Sequence, residues 1–386
     1  MIKKIIIKLT LASYILMTRP KKHIQDCLNN NWVTMGPKTK LFEEKWAQLF
    51  NYPYTVAFNS GTSADMAACM ALYEFPELDA KPGDEIICPA LSFIATANSI
   101  RAAGFIPKFV DVNYETLNID VEQVGNAITN KTKAVMSVNL MGKPCRMDTL
   151  DALCTLNNIP LIIDNCEAYG CRLNGRLSLE YSSMETTSMY VAHICCSGEG
   201  GTVSCRKETH RDLLQSIRSH GREPNSQYFN HLVFGFNLRP TDLHMSIGLG
   251  ELENFGDNFQ KRKANLYRMR DAVKGFEDLA WFVEEDENAV NAPHAFSITL
   301  KPTYCHNIED LKSGLDEAGI HHKRNFGSQL HHKCFSYLQP NKFSMPRSRY
   351  IGNFGIHIGC HQFLTEEDLE YICQTLKKIF RKMKKN

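Results

Sequence analysis

Four residues between Pro160 and Gly201 are of the kinds that move protons and hold anions: Asp164, Glu167, Ser188 and His193. The apolar run from Pro160 to Ile163 predicts a short buried strand, and in open α/β sheets functional groups gather just beyond the carboxyl ends of such strands. Asp164 stands at that end, Glu167 follows three residues on, and Ser188 precedes His193 by five. A glycine-rich turn, S-G-E-G-G, occupies 197–201. A carboxylate, a hydroxyl and an imidazole together offer acid–base chemistry near neutral pH, where only imidazole has its ordinary pKa. Each residue also has a bland reading. An Asp after a strand caps the next segment, a lone serine in a strand means nothing, and one histidine of 14 in a buried strand is commonly a hydrogen-bonded core residue. No lysine occurs between Lys143 and Lys207, so this stretch has no primary amine with which to capture a carbonyl compound.

Around these residues the chain alternates strand and helix. A helix is predicted over 40–50, where Leu41, Phe42, Trp46, Leu49 and Phe50 recur at helical spacing, followed by a strand at 55–58. The turn Asn59 to Ser63 opens a helix over 64–72. Its S-G-T, with a glycine, hydroxyls and a helix N-terminus, reads either as a phosphate cradle or as a plain N-cap. Strands at 85–88, 108–112, 134–139 and 160–163 alternate with helices at 95–103, 121–128 and 148–157, which predicts a mostly parallel sheet covered on both faces. A strand at 202–205 and a helix at 208–219 follow, then a polar loop at 222–230 and a helix running to Leu252. Near Gly256 the pattern changes to a basic helix over 261–274, a strand at 295–300 and helices over 307–318 and 366–378. The expected division is a large domain over 1–255 and a smaller α+β domain over 256–386.

Composition narrows the class. At 386 residues, 43% hydrophobic and 22% charged, the chain reads as an ordinary globular protein with room for two cores. Its 44 basic and 42 acidic residues nearly cancel, so no overall field draws it to nucleic acid or an anionic membrane. The basic tail 377–385 reads as a solvated last helix. The 14 cysteines contain no C-x-x-C pair, which favours buried reduced thiols and a cytoplasmic location over disulfides or a metal site. Lys8 interrupts the apolar start too early for a signal peptide, and no run is long enough for a membrane span.

Several blocks in this order carry a family resemblance: W-V-T-M-G-P at 32–37, S-G-T at 60–62, D-N-C-E at 164–167, Ser188, His193 ahead of the glycine-rich turn, and G-F-N-L-R-P-T-D at 235–242. Together they resemble the DegT-type nucleotide-sugar aminotransferase and dehydratase group of fold-type I pyridoxal-phosphate enzymes, over nearly the whole chain. The resemblance implies pyridoxal or pyridoxamine 5'-phosphate as cofactor, with its phosphate held by Gly61, Thr62 and Ser188. It implies Phe93 over the pyridine ring, Asp164 at the ring nitrogen and Glu167 where aminating members carry Gln. It further implies a homodimer in which Asn237 reaches the neighbouring subunit's cofactor phosphate. Arg239, in the same block, and Arg324 become substrate contacts. For His220, followed by Gly221 as in the dehydratase branch, substrate contact or proton transfer stands beside a purely structural role.

Most members of the group carry the cofactor-tethering lysine where this chain has His193. Members with histidine there remove a hydroxyl instead of installing an amine. The resemblance therefore implies a 3-dehydratase acting on a nucleotide-linked 4-keto-6-deoxy sugar, with glutamate as amino donor and His193 as the proton carrier. The alternatives are a 4-aminotransferase with a lysine supplied from elsewhere and a catalytically silent sugar-binding relative. An iron–sulfur branch is disfavoured, since no cysteine lies between Cys205 and Cys305.

Overall fold

The computed structural model describes residues 15–224, 230–338 and 344–385. The apolar start around Lys8 and most of the polar loop expected over 222–230 lie outside these residues. The central sheet has seven strands, in spatial order Tyr54–Phe58, Gly201–Cys205, Met184–Ser188, Leu161–Asp164, Thr132–Val138, Glu85–Pro89 and Ile106–Val110. Pairing is parallel from Ile106–Val110 through to Met184–Ser188. Gly201–Cys205 alone runs the other way, antiparallel to both of its neighbours. The mostly parallel α/β sheet is as expected. The reversal is not legible in G-T-V-S-C, which has the same apolar and β-branched character as its neighbours.

Helices cover both faces, as near-continuous apolar strands require. One core packs the helix Gly61–Ala71 against the sheet through Ala64, Ala67 and Ala68, all fully buried. These small side chains let the helix lie close to the strands, which carries its N-terminus to the sheet's functional edge. A second core lies around Phe42, Trp46 and Tyr169. The helix Pro37–Phe50 begins where Asp242 accepts hydrogen bonds from the backbone N–H groups of Gly36 at 2.8 Å and Thr39 at 2.9 Å. The two motifs at 32–37 and 235–242 thus meet at one capping carboxylate.

Past residue 272 a separate four-stranded antiparallel sheet forms, in the order Ala280–Phe282, Ala295–Leu300, Gly355–Gly359 and His322–Arg324. Its core is sealed by the last helix, Glu366–Met383, through Leu369, Ile372, Leu376 and Phe380, while the lysines of the tail face outward. A short return segment ties this sheet to the large one. Gly327–Ser328 pairs with Leu91–Ser92, and Leu330 and Phe335 enter the large core. Among the described residues no helix is long and apolar enough to cross a membrane. All 14 cysteines are free, and most are buried.

Candidate active site

A cavity of about 600 Å³ opens at the carboxyl ends of Leu161–Asp164 and Met184–Ser188. That volume suits a small organic ligand. One wall is the N-terminus of the helix Gly61–Ala71. Its N-cap Ser60 accepts a hydrogen bond from the Ser63 N–H at 3.1 Å, which leaves the first N–H groups of the helix directed outward. Gly61 is needed there for closeness, since a Cβ would lie 2.5 Å from Ser188 Cβ. The glycine therefore brings the helix terminus and the Ser188 hydroxyl onto one spot, a cradle suited to a phosphate.

Deeper in, Asp164 is buried at its strand end. Its carboxylate accepts hydrogen bonds from Thr96 Oγ1 at 2.8 Å and the Cys166 N–H at 3.2 Å. Thr96 is steadied in turn by Ser92, to which Gln329 of the return segment donates, so that segment helps aim the carboxylate. Asp65 lies alongside: the acidic oxygens of Asp65 and Asp164 and the sulfur of Cys166 are all within 4.8 Å of one another. Thr186 donates to Asp65 at 2.5 Å. Burial pushes both carboxyls up, the neighbouring Asp164 charge raises Asp65 further, and the bonds from Cys166 and Thr96 only partly offset the effect at Asp164. Two carboxyls so placed repel each other when both are ionised, and a cationic ring nitrogen would relieve that repulsion.

His193 lines the same cavity. It lies on a turn beyond the strand, not within one: the strand ends at Ser188, and the His193 N–H donates to the Tyr190 carbonyl at 2.9 Å. The loop is anchored below by Tyr169, whose hydroxyl accepts from the Cys195 N–H at 2.6 Å. Part of the ring faces the cavity, while Nδ1 is sealed from solvent without a hydrogen-bond partner. Burial, helped by the Arg262 charge, pushes the imidazole down to about 3. It is therefore neutral across the physiological range, a weaker base than an exposed histidine but one whose lone pair is always available and whose proton returns readily.

Glu167 lines the cavity too, with Oε2 accepting from the Met141 N–H at 2.8 Å and Oε1 3.5 Å from His294 Nε2. Burial raises this carboxyl to about 8. Phe93 is 59% exposed, an unusual state for a phenylalanine, and its ring meets Phe326 edge-on at 6.2 Å. Arg324 reaches the cavity with its guanidinium partly engaged, donating to the Gly352 carbonyl at 2.7 Å and to Asn353 at 3.2 Å.

Eight of the expected residues are thus brought together: Gly61, Thr62, Phe93, Asp164, Glu167, Ser188, His193 and Arg324 all line one cavity. His220, Asn237 and Arg239 do not line it. His220 has a left-handed backbone at φ 65° and pairs through its N–H with the Phe236 carbonyl, while Asn237 bridges to Ser219 and is exposed. Sequence reading passed over Asp65, Thr96, His294, Lys323 and His357, which share the cavity. An acid one turn into an alanine-rich helix was a signal for Asp65; nothing local marked the others.

The fold and the cavity define a family. Residues 16–377 match the model of the DegT/DnrJ/EryC1/StrS aminotransferase family, and the chain belongs to it. Among curated relatives it is 30% identical to the GDP-4-keto-6-deoxy-D-mannose 3-dehydratase of Yersinia pseudotuberculosis, over 97% of this chain and 100% of that one. It is 29% identical to the GDP-perosamine synthase of Escherichia coli O157:H7, over 94% and 96% of the two chains. It superposes with a TM-score of 0.87 on the E. coli GDP-4-keto-6-deoxy-D-mannose-3-dehydratase solved with bound hydrated PLP, at 28% identity, covering 95% of this chain and 99% of the other.

Proposed function

We propose that this chain is a pyridoxal-phosphate-dependent 3-dehydratase that removes the C3 hydroxyl from a nucleotide-linked 4-keto-6-deoxy sugar, GDP-4-keto-6-deoxymannose, with L-glutamate as amino donor. The observation that carries the reading is His193: an imidazole shares the cavity with Asp164 and Ser188, on a stretch without lysine. The name of the Yersinia relative, similar along the whole chain, supports it.

The donor set fits a phosphorylated pyridine. The cradle of Gly61, Thr62 and Ser188 would hold the phosphate, Asp164 the protonated ring nitrogen, and Phe93 one face of the ring. When bound, the cofactor supplies an electron sink and, in its amine form, the two electrons that replace the C3–O bond; glutamate restores that form. His193 takes up the proton released on the cofactor side and passes it to the departing hydroxyl, which leaves as water. Because no amine recaptures the cofactor here, hydrolysis then frees ammonia and a 4-keto-3,6-dideoxy sugar. Lys323 and Arg324, which also line the cavity, offer positive charge to the anionic part of the substrate. Asn237 acts from the second subunit of a homodimer, while His220 and Arg239 contact the substrate.

One observation favours a second reading. Lys323 lines the same cavity, so an aminotransferase tethered from the second sheet has a candidate amine. Incubation with GDP-4-keto-6-deoxymannose, pyridoxal phosphate and glutamate, followed by mass analysis, decides between them. The dehydratase reading expects loss of the 3-hydroxyl with release of ammonia; a 4-amino sugar would refute it.

A further inference from the structure

Beside His193 the cavity holds a second imidazole. The rings of His193 and His294 have centroids 5.4 Å apart, although 100 residues of chain lie between them. Two devices hold this arrangement. The first is Arg262, only 2% exposed, which donates to the carbonyls of Pro293 and His294 at 2.9 Å each and to that of Ala192 at 3.5 Å. One rigid guanidinium thus clamps the two histidine-bearing segments. The second is an interlock on the Glu167 side. Met141 takes a left-handed backbone at φ 54° to point its N–H at Glu167, at a cost of about 1–3 kcal/mol for a residue with a side chain. The next residue, Gly142, packs so tightly that a Cβ would fall 1.8 Å from the Ala292 carbonyl oxygen, two residues before His294. The carboxyl of Glu167 and the ring of His294 are thereby set face to face at 3.5 Å.

The nitrogens left over point to a purpose. Nδ1 of His193 and Nδ1 of His294 are both buried with no hydrogen-bond partner, on neighbouring rings. A buried polar atom without a partner calls for an explanation, and these two lie on adjoining rings that both line the cavity, where a transferred proton would pass. The order carboxyl, imidazole, imidazole is that of a base aligned by a second group, which is aligned by a third.

We propose that His294 is a positioning residue for proton transfer: held by its contact with Glu167, its ring packs against that of His193 and fixes the orientation in which His193 accepts a proton. This rests on the reading of His193 as proton carrier but not on deoxygenation, so the amino-donor half-reaction isolates it. There the α-C–H bond of glutamate breaks, its proton moves to the carbon that receives the nitrogen, and amino acid plus aldehyde become 2-oxo acid plus amine, with no net proton or electron lost.

The protein loaded with pyridoxal phosphate is mixed with glutamate alone, and single-turnover 2-oxoglutarate is followed between pH 6 and pH 9. His294→Gln keeps a group near Glu167 but loses the Nδ1 side, whereas His294→Asn does the reverse. Both variants are expected to slow the half-reaction on the order of 10- to 100-fold, flatten its pH profile, and leave cofactor affinity by fluorescence titration within about threefold. Variants within about twofold of wild type at every pH would overturn the proposal, as would a wild-type rate no faster than that of His193→Ala. A wild-type protein that completes this half-reaction yet never deoxygenates the sugar would sink the dehydratase reading and leave His294 in its role.

Discussion

At the residue scale the site is governed by what burial does to four titratable groups. Glu167 shows this most simply. Its ordinary pKa of about 4.3 is raised to about 8 in the fold, so between those values the folded chain keeps a proton that the unfolded chain has released. Stability must fall as pH rises through that window and level off above about 8. Cofactor-free wild type should therefore lose a few degrees of melting temperature relative to Glu167→Gln between about pH 5 and pH 8; parallel curves would contradict the assignment. His193 has the opposite sign, because burial lowers it and the fold disfavours its protonation as pH falls. Asp164, Ser188 and His193 were legible from chain order, because type and spacing along a strand end survive in one dimension. His294, Lys323 and Arg262 were not. His294 and Lys323 reach the site from the smaller sheet and the segment leading into it, while Arg262 clamps from a helix read only as basic, and no local pattern shows that it turns inward.

At the scale of elements, the decisive packing is that of the helix Gly61–Ala71 against the strand ending in Ser188. The alternation of strands and helices was readable from period, and the observed boundaries fall within a few residues of expectation for Glu85–Pro89, Ala95–Ala102 and Ala295–Leu300. The closeness of helix to strand was not, since S-G-T reads equally as an N-cap. Its test is Gly61→Ala. A methyl 2.5 Å from Ser188 Cβ must push the helix terminus away, and pyridoxal phosphate affinity should fall roughly tenfold or more with little change in the folded far-ultraviolet spectrum. Unchanged affinity would mean that the phosphate is held elsewhere. A gentler version is Thr96→Val, which removes the 2.8 Å hydrogen bond to Asp164 while preserving shape. It should shift the absorbance of bound cofactor toward that of an unprotonated ring; an identical spectrum would remove Asp164 from its proposed place at the ring nitrogen.

For the whole molecule, the proposed homodimer has a visible counterpart. Leu232 and Phe234 are 57% and 73% exposed, next to Phe236 and the exposed Asn237 that the family resemblance assigns to a neighbouring site. Apolar side chains so exposed in one short segment are suited to a partner surface. If Asn237 acts across the interface, mixing His193→Asn with Asn237→Ala should restore turnover that neither homodimer shows, because one site of each mixed dimer is intact. No recovery, with mixed dimers verified by mass, would place Asn237 in its own subunit's site, and a fully active Asn237→Ala homodimer would place it outside the chemistry.

The account rests on a cofactor held without a covalent link to protein. Borohydride reduction of the protein loaded with pyridoxal phosphate, followed by peptide mapping, tests this most directly. The expected result is cofactor that dialyses away and no phosphopyridoxyl mass on any lysine. A stoichiometric adduct on Lys323, or on any other lysine of the chain, would contradict it and make the protein an aminotransferase.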